Sequence, residues 1–359
     1  MGILKKLLSA VSITLTASMA FTFPIQVFAQ NLPTFSGSEE DNTEAIIVGE
    51  LTSEREEYTK YFRMSDGSIM AAQYEYPVHY KNSDDKWEEY NNSLSEKEIK
   101  TSTDDEAKTN ATEKYFSNKN SNIDVNLSNK SKLNNMIKVK FDDYQVSWGY
   151  EDTNRSTGKV IENTENLTGD DKFLAQKNLL SEMLYEDIYN NIDLQCIVTS
   201  LGIKENFIIK NQNVQNEFVI QYKINNLNAV QKSEREISLT DKSGKEVYVI
   251  EAPYMTDSAG KASTDVSIKI TNLQNNQLTV ALTYDKNWIE ADDRAFPVVL
   301  DPTFNTSQDW QRTSCTYVDN SNPNTAYGYG SDDGYTGTVY VGTYGEGMYR
   351  TYVKINELP

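Results

Sequence analysis

The side chains that could do chemistry are few, and their types decide what chemistry to consider. The chain has a single histidine, His79, in the segment Val78-His79-Tyr80. Any Ser-His-Asp or Cys-His arrangement would have to use it. A lone histidine between valine and tyrosine reads as a structural residue. No Gly-x-Ser-x-Gly turn, His-Glu-x-x-His pair or Cys-x-x-Cys pair occurs. The acids fall mostly in turns (Asp84-Asp85, Asp142-Asp143, Asp170-Asp171, Asp292-Asp293), where aspartate bonds its own backbone. No catalytic residue is assigned, and the expected activity is non-enzymatic.

The aromatic residues are more informative. Trp310, Tyr317, Tyr327 and Tyr329 lie close together beside Asn324 and several glycines. Aromatic faces stack on sugar C–H groups while asparagine bonds hydroxyls. These five residues are the candidate carbohydrate-binding set, with a cell-wall or other extracellular glycan as the expected partner. Asp319, Asp332 and Asp333 offer oxygens of the kind a calcium site uses, although ordinary turn roles account for them. No other cofactor is expected.

The elements that must position these residues are strands. Ile123-Asp124-Val125-Asn126-Leu127, Ile137 to Phe141 and Tyr144 to Trp148 alternate apolar and polar side chains. Tyr58 to Met64 and Ile69 to Tyr76 flank Asp66-Gly67, a hairpin signal. Further strands are expected at 183–185, 192–198, 203–209, 218–224, 237–240, 247–251, 266–270, 278–284 and 297–300. Gly202, Ser243-Gly244 and Asn275-Asn276 would supply turns. One short helix is expected over 171–180. The spacing predicts an all-β, antiparallel sandwich region over 54–305, with a polar linker at 93–112. An incomplete sandwich or jelly roll follows at 306–359. Only 58 residues (359 minus 301) follow Asp301, whereas a closed sandwich takes about 100. Val339–Val341 and Tyr352–Ile355 are therefore expected to be unpaired edges, with further strands lying beyond Pro359.

At the other end, Lys5-Lys6 precede an uncharged, largely apolar run from Leu7 to Phe23, and Val27-Phe28-Ala29 offers a peptidase site. Residues 1–29 read as a signal peptide cleaved after Ala29, and 30–53 as a flexible acidic leader. No later run reaches the roughly 18 apolar residues of a membrane span. Formal net charge is −19; removing the two lysines leaves −21 (32 minus 53). So acidic a surface disfavours nucleic acid and anionic lipid. Cys196 and Cys315 stand 119 positions apart (315 minus 196), and nothing in their spacing calls for a bridge.

Several of these segments carry a resemblance. Val249-Ile250-Glu251-Ala252-Pro253-Tyr254-Met255 with Asp257, Trp288-Ile289, and Phe296-Pro297-Val298-Val299-Leu300-Asp301-Pro302-Thr303 resemble the N-terminal region of Gram-positive wall-associated and Rhs (YD-repeat) surface proteins. Tyr58-Thr59-Lys60, Pro77-Val78-His79-Tyr80, Lys86-Trp87 and the stretch from Leu194 to Lys204-Glu205-Asn206 are similar to the same region. The last segment resembles the start of a DNRLRE domain, a carbohydrate-binding-type module. Cys315 and Ile355 depart from that module, which usually has an acid and a phenylalanine there. The resemblance implies a secreted protein, associated with the cell wall and binding glycan. The alternative it implies is the delivery or anchoring part of a polymorphic toxin.

Overall fold

The computed structural model describes residues 26–28, 45–74, 76–101, 111–131, 135–161, 168–175, 178–251, 253–307, 314–319, 327–328, 342–344 and 347–354. At 26–28, 99–101, 111–112, 171 and 314–354 only the backbone is described. The chain divides into two units, residues 1–306 and 307–359. Every strand pair among the described residues is antiparallel, so the all-β expectation holds.

The first unit is built on two facing sheets. One runs in the order Val266–Gln274, Gln277–Tyr284, Glu217–Asn225, Tyr144–Tyr150, Ile137–Phe141, Ile123–Ser128, Ala111–Ser117, Ser95–Thr101. The other runs Lys159–Ile161, Ser181–Tyr189, Ile192–Val198, Gly202–Ile209, Thr303–Thr306, Glu246–Glu251, Glu236–Thr240, Asn228–Ser233. Met255–Asp257, Ala262–Ser263 and Val298–Leu300 attach to it as a side branch through the 202–209 strand. Alternation places one set of side chains between the sheets. There Phe207 stacks on Phe218 at 4.6 Å between ring centroids, and Trp148 lies 4.7 Å from Phe304. Such a closed apolar layer between sheets is what holds a sandwich together.

Turn chemistry fixes the register. Asn275 and Asn276 both take positive φ (51° and 63°) between the 266–274 and 277–284 strands, the geometry of a two-residue hairpin turn. Asp241 Oδ1 accepts the backbone N–H groups of Ser243 (2.8 Å) and Lys245 (3.0 Å), and Gly244 supplies the positive φ beside them. Gly202 meets a packing demand instead. A Cβ there would lie 2.2 Å from the Phe304 carbonyl oxygen of the neighbouring strand.

The 266–274 strand forms one edge of its sheet. Gln231, on the other sheet, covers that edge with its carboxamide. Its Oε1 accepts from Ile270 N and its Nε2 donates to Ile268 O, both at 2.9 Å. A side chain thus takes the place of a missing strand.

A smaller layer precedes the sandwich. Ile47–Glu50, Thr59–Met64, Ile69–Gln73 and Gln26–Phe28 form a four-stranded sheet, and His79–Lys81 pairs with Trp87–Glu89. Ile47, Phe62, Tyr74, Val78, Tyr80, Tyr90 and Leu179 make its separate core. It is tied to the sandwich through Ile47 N to Asp170 Oδ1 (2.8 Å) and Asn92 Nδ2 to Leu179 O (2.8 Å).

Several expectations need correcting. Residues 93–112 are not simply a linker, because Ser95–Thr101 pairs with Ala111–Ser117 as a hairpin. Its polar composition misled: the Lys114–Glu96 ion pair at 2.8 Å shows an edge strand carrying charges on its solvent side. The leader at 30–53 includes the strand Ile47–Glu50, anchored by buried Ile47, while 29–44 lies outside the described residues. The helix over 171–180 is one turn, Asp171–Leu174, and Ser181 already begins a strand. Lys286–Glu290, unforeseen, forms a second short helix, capped by Asp285 through Asn287 N. The Ala29 cleavage site lies outside the described residues, while Gln26–Phe28 pairs with Ala71–Gln73.

In the second unit the order is Tyr327–Gly328, Ser314–Asp319, Gly347–Lys354, Gly342–Tyr344. The expected unpaired segment at Tyr352–Ile355 is overturned for 352–354, which has a partner strand, while Ile355 lies outside the described residues. Residues 349–354 pair with 314–319, and 347–349 pair also with 342–344. Val339–Val341 lies outside the described residues.

Candidate functional site

His79 is fully buried, and its Nδ1 donates to the Glu56 carbonyl at 2.6 Å. Its Nε2 lies 3.5 Å from Glu50 Oε1, outside ordinary hydrogen-bond range. Arg55 grips Glu50 with two bonds of 2.7 and 3.1 Å. Burial raises the Glu50 carboxyl, but contacts from His79, Arg55 and Lys60 outweigh it and hold it down at about 2. Lys60, itself buried, bonds Glu89. The histidine therefore belongs to an internal ionic cluster that locks the small layer, and solvent does not reach it.

Between the two sheets, the strand Gly202–Ile209 points Ile203, Glu205, Phe207 and Ile209 to one side by its pleat, and all four are buried. Glu205 accepts from Trp148 Nε1 at 2.9 Å and from the Tyr150 hydroxyl. Burial pushes its carboxyl up to about 8, although the indole bond works the other way. The carboxyl is thus protonated at neutral pH and seals a polar spot inside the apolar layer. The alternation rule marks position 205 as core-facing, and a glutamate there was the missed signal.

The segments on which the family resemblance rests converge. Glu205 N donates to Pro302 O at 3.0 Å, and Lys204 Nζ reaches Asp301 Oδ2 at 2.5 Å. Asp257 is buried against Arg294 (2.8 Å), whose guanidinium lies 3.4 Å from the Trp288 ring centroid. Burial raises the Asp257 carboxyl, but the backbone N–H of Lys261 and the guanidinium of Arg294 outweigh it and keep it below the ordinary carboxylate range. Residues far apart in sequence thus build one junction where the side branch meets the 202–209 strand. It is an architectural device: Lys204 pairs with Asp301 and Arg294 with Asp257.

Of the carbohydrate-binding candidates, Tyr317 and Tyr327 are register partners on adjacent strands. Trp310, Asn324 and Tyr329 lie outside the described residues. Asp319 ends the 314–319 strand opposite Tyr349, and Asp332 and Asp333 lie outside the described residues. Among the described residues no cluster of three metal-ligating side chains occurs. Cys196 is buried and free in its strand; burial drives its thiol far above the ordinary range.

Comparison with known proteins gives relatives without a domain assignment. The chain is 29% identical over 287 residues to the tRNA nuclease WapA of Bacillus subtilis, a match covering 78% of this chain and 11% of that protein. A tRNA3(Ser)-specific nuclease WapA of Bacillus spizizenii is 28% identical over the same length. A wall-associated protein of Geobacillus stearothermophilus is 24% identical over 212 residues, covering 58% of this chain and 75% of that one. The chain thus spans about a tenth of the length of the Bacillus relatives it matches. No family model and no solved structure matches it. Among the described residues no helix is long and apolar enough to cross a membrane.

Proposed function

We propose that this chain is an exported, wall-associated β region that works by binding and display rather than by catalysis. The observation that carries this reading is the similarity to the wall-associated protein of Geobacillus stearothermophilus over 212 residues. The burial of His79 agrees with it, since the one imidazole is engaged with a backbone carbonyl and out of solvent. Export proceeds with cleavage after Ala29, so the secreted protein begins at Gln30 in mass spectrometry; retention of residues 1–29 in a membrane fraction overturns that step.

Contact with wall glycan falls to the second unit, whose resemblance to a carbohydrate-binding-type module is joined by the adjacency of Tyr317 and Tyr327. In the full chain, Tyr317→Ala with Tyr327→Ala should reduce co-sedimentation with purified cell walls several-fold while leaving the melting temperature of the first unit unchanged. Undiminished sedimentation would exclude these tyrosines as the glycan contact.

A second reading follows from the printed names of the Bacillus relatives, which are nucleases acting on tRNA. In that reading this chain is the delivery or anchoring part of a toxin. A reporter enzyme fused after Pro359 would then be displayed on intact cells and be accessible to an impermeant substrate. A reporter confined to the cytoplasm would sink both readings.

A further inference from the structure

Four loops meet at one end of the sandwich. They are the segment after the 144–150 strand, the turn at Asn190-Asn191, the connection 210–216, and the short helix Lys286–Glu290. Between them lies a cleft of about 390 Å³. Loops gathered at the end of a rigid β scaffold are a usual place for a binding site, and ligand clefts run from about 300 to 1,000 Å³.

The lining is unusual in kind. Asn154, Asn190, Gln212, Asn213 and Gln215 line one cleft. Asn154 Nδ2 is held by Asp187 O and Asn190 Oδ1, and Gln215 Nε2 by Glu217 O, so Gln212 and Asn213 are the carboxamides argued to meet a ligand. Each carboxamide can both donate and accept, which matches hydroxyl and N-acetyl groups that also do both. The charged lining is two carboxylates, Asp152 and Glu290, and one ammonium, Lys286. Lys286 and Glu290 pair with each other at 3.2 Å, so the charged lining nets −1 from Asp152. A teichoic-type phosphate or other polyanion would find one ammonium against two carboxylates.

The loops are held in place from behind. Asn154 N donates to Ile188 O at 2.7 Å, the Tyr189 hydroxyl donates to Glu151 O at 2.8 Å, and the Tyr284 hydroxyl donates to Gln215 O at 2.6 Å. Lys210 N donates to Asn191 O at 2.9 Å. The aromatic rings behind these hydroxyls are themselves packed, Tyr189 against Phe218 at 5.2 Å. Preorganised loops lose less freedom on binding, which favours a weakly interacting polar ligand.

We propose that this cleft is a saccharide site, taking a neutral oligosaccharide with free hydroxyl and N-acetyl groups. Its residues all belong to the first unit. The choice of ligand class rests on the wall-associated reading, but the geometry of the cleft does not.

The test is calorimetric titration of the full secreted chain with N-acetylglucosamine oligomers. Gln212 and Asn213 are exposed loop residues, so Gln212→Ala with Asn213→Ala should leave the melting temperature unchanged. Saturable binding should weaken at least tenfold in this variant and persist in Tyr317→Ala with Tyr327→Ala. Absence of binding by the unmodified chain overturns the proposal, as does an affinity untouched by the loop variant. Binding that appears only with added calcium also overturns it, in favour of a cation site. Cell-wall sedimentation, scored in parallel, reports on the wall-associated reading separately.

Discussion

Trp148 and Glu205 meet across the gap between the two sheets, the indole Nε1–H donating to the carboxyl Oε1 at 2.9 Å. With the carboxyl pushed up to about 8 from 4.5, the folded state holds a proton that the unfolded chain releases. The associated stability is fully present below about pH 4.5 and is lost as pH rises to about 8. The full difference is on the order of 5 kcal/mol. Glu205→Gln keeps the shape and an acceptor but cannot ionise. Urea midpoints across pH 5 to 9 should slope downward in the parent and flatten in the variant. Parallel slopes would show that Glu205 is ionised in the folded protein.

Asp257 and Arg294 form the most enclosed ion pair among the described residues, with side chains 0% and 5% exposed. Arg294→Ala leaves a buried carboxylate without its guanidinium and should cost about 3–5 kcal/mol in urea unfolding. Asp257→Asn with Arg294→Met should cost clearly less, because no lone charge remains. Equal losses would mean that Trp288 packing, not charge pairing, governs the junction.

Gly202→Ala should be among the most damaging small substitutions. Its Cβ would meet Phe304 O at 2.2 Å and Asn305 Cα at 2.9 Å, and backbone atoms cannot swing aside. Overpacking costs about 1–3 kcal/mol where side chains can adjust, so the loss here should reach at least the top of that range. A melting temperature within a degree of the parent would show that the two strands can separate freely.

Gln231→Ala should expose the edge that its carboxamide covers. Hydrogen exchange at the Ile270 amide should speed up about tenfold, corresponding to about 1 kcal/mol for one bond. Gln231→Glu can still accept from Ile270 but cannot donate to Ile268, and should fall between. No change in either variant would mean that the 266–274 edge is protected by other means.

Much of the strand order could be read from the chain because alternation and turn residues act locally. Asn275-Asn276, Ser243-Gly244 and Asp142-Asp143 mark their turns by backbone preference alone, and each adopts positive φ in at least one residue. What local signals could not show is pairing at a distance. Thr303–Thr306 is too short to alternate convincingly, yet it joins two strands. Ser95–Thr101 reads as linker because its charges face water. The ionic cluster around His79 and the junction at Asp257 depend on partners 29 and 37 positions away, Glu50 (79 minus 50) and Arg294 (294 minus 257), and no periodicity reports those.

Thr303–Thr306 sits in the middle of its sheet although it is the last strand of the first unit, with Phe304 paired to Ile203 and to Ile250. A chain delivered N-terminus first would present Gly202–Ile209 and Glu246–Glu251 well before the strand that belongs between them. Until residue 306 emerges, the sheet has a vacant slot and two sticky margins. Long-range closure of this kind is slow and leaves the nascent chain loose. The arrival of Phe304 therefore closes the sheet, joining the 202–209 and 246–251 strands.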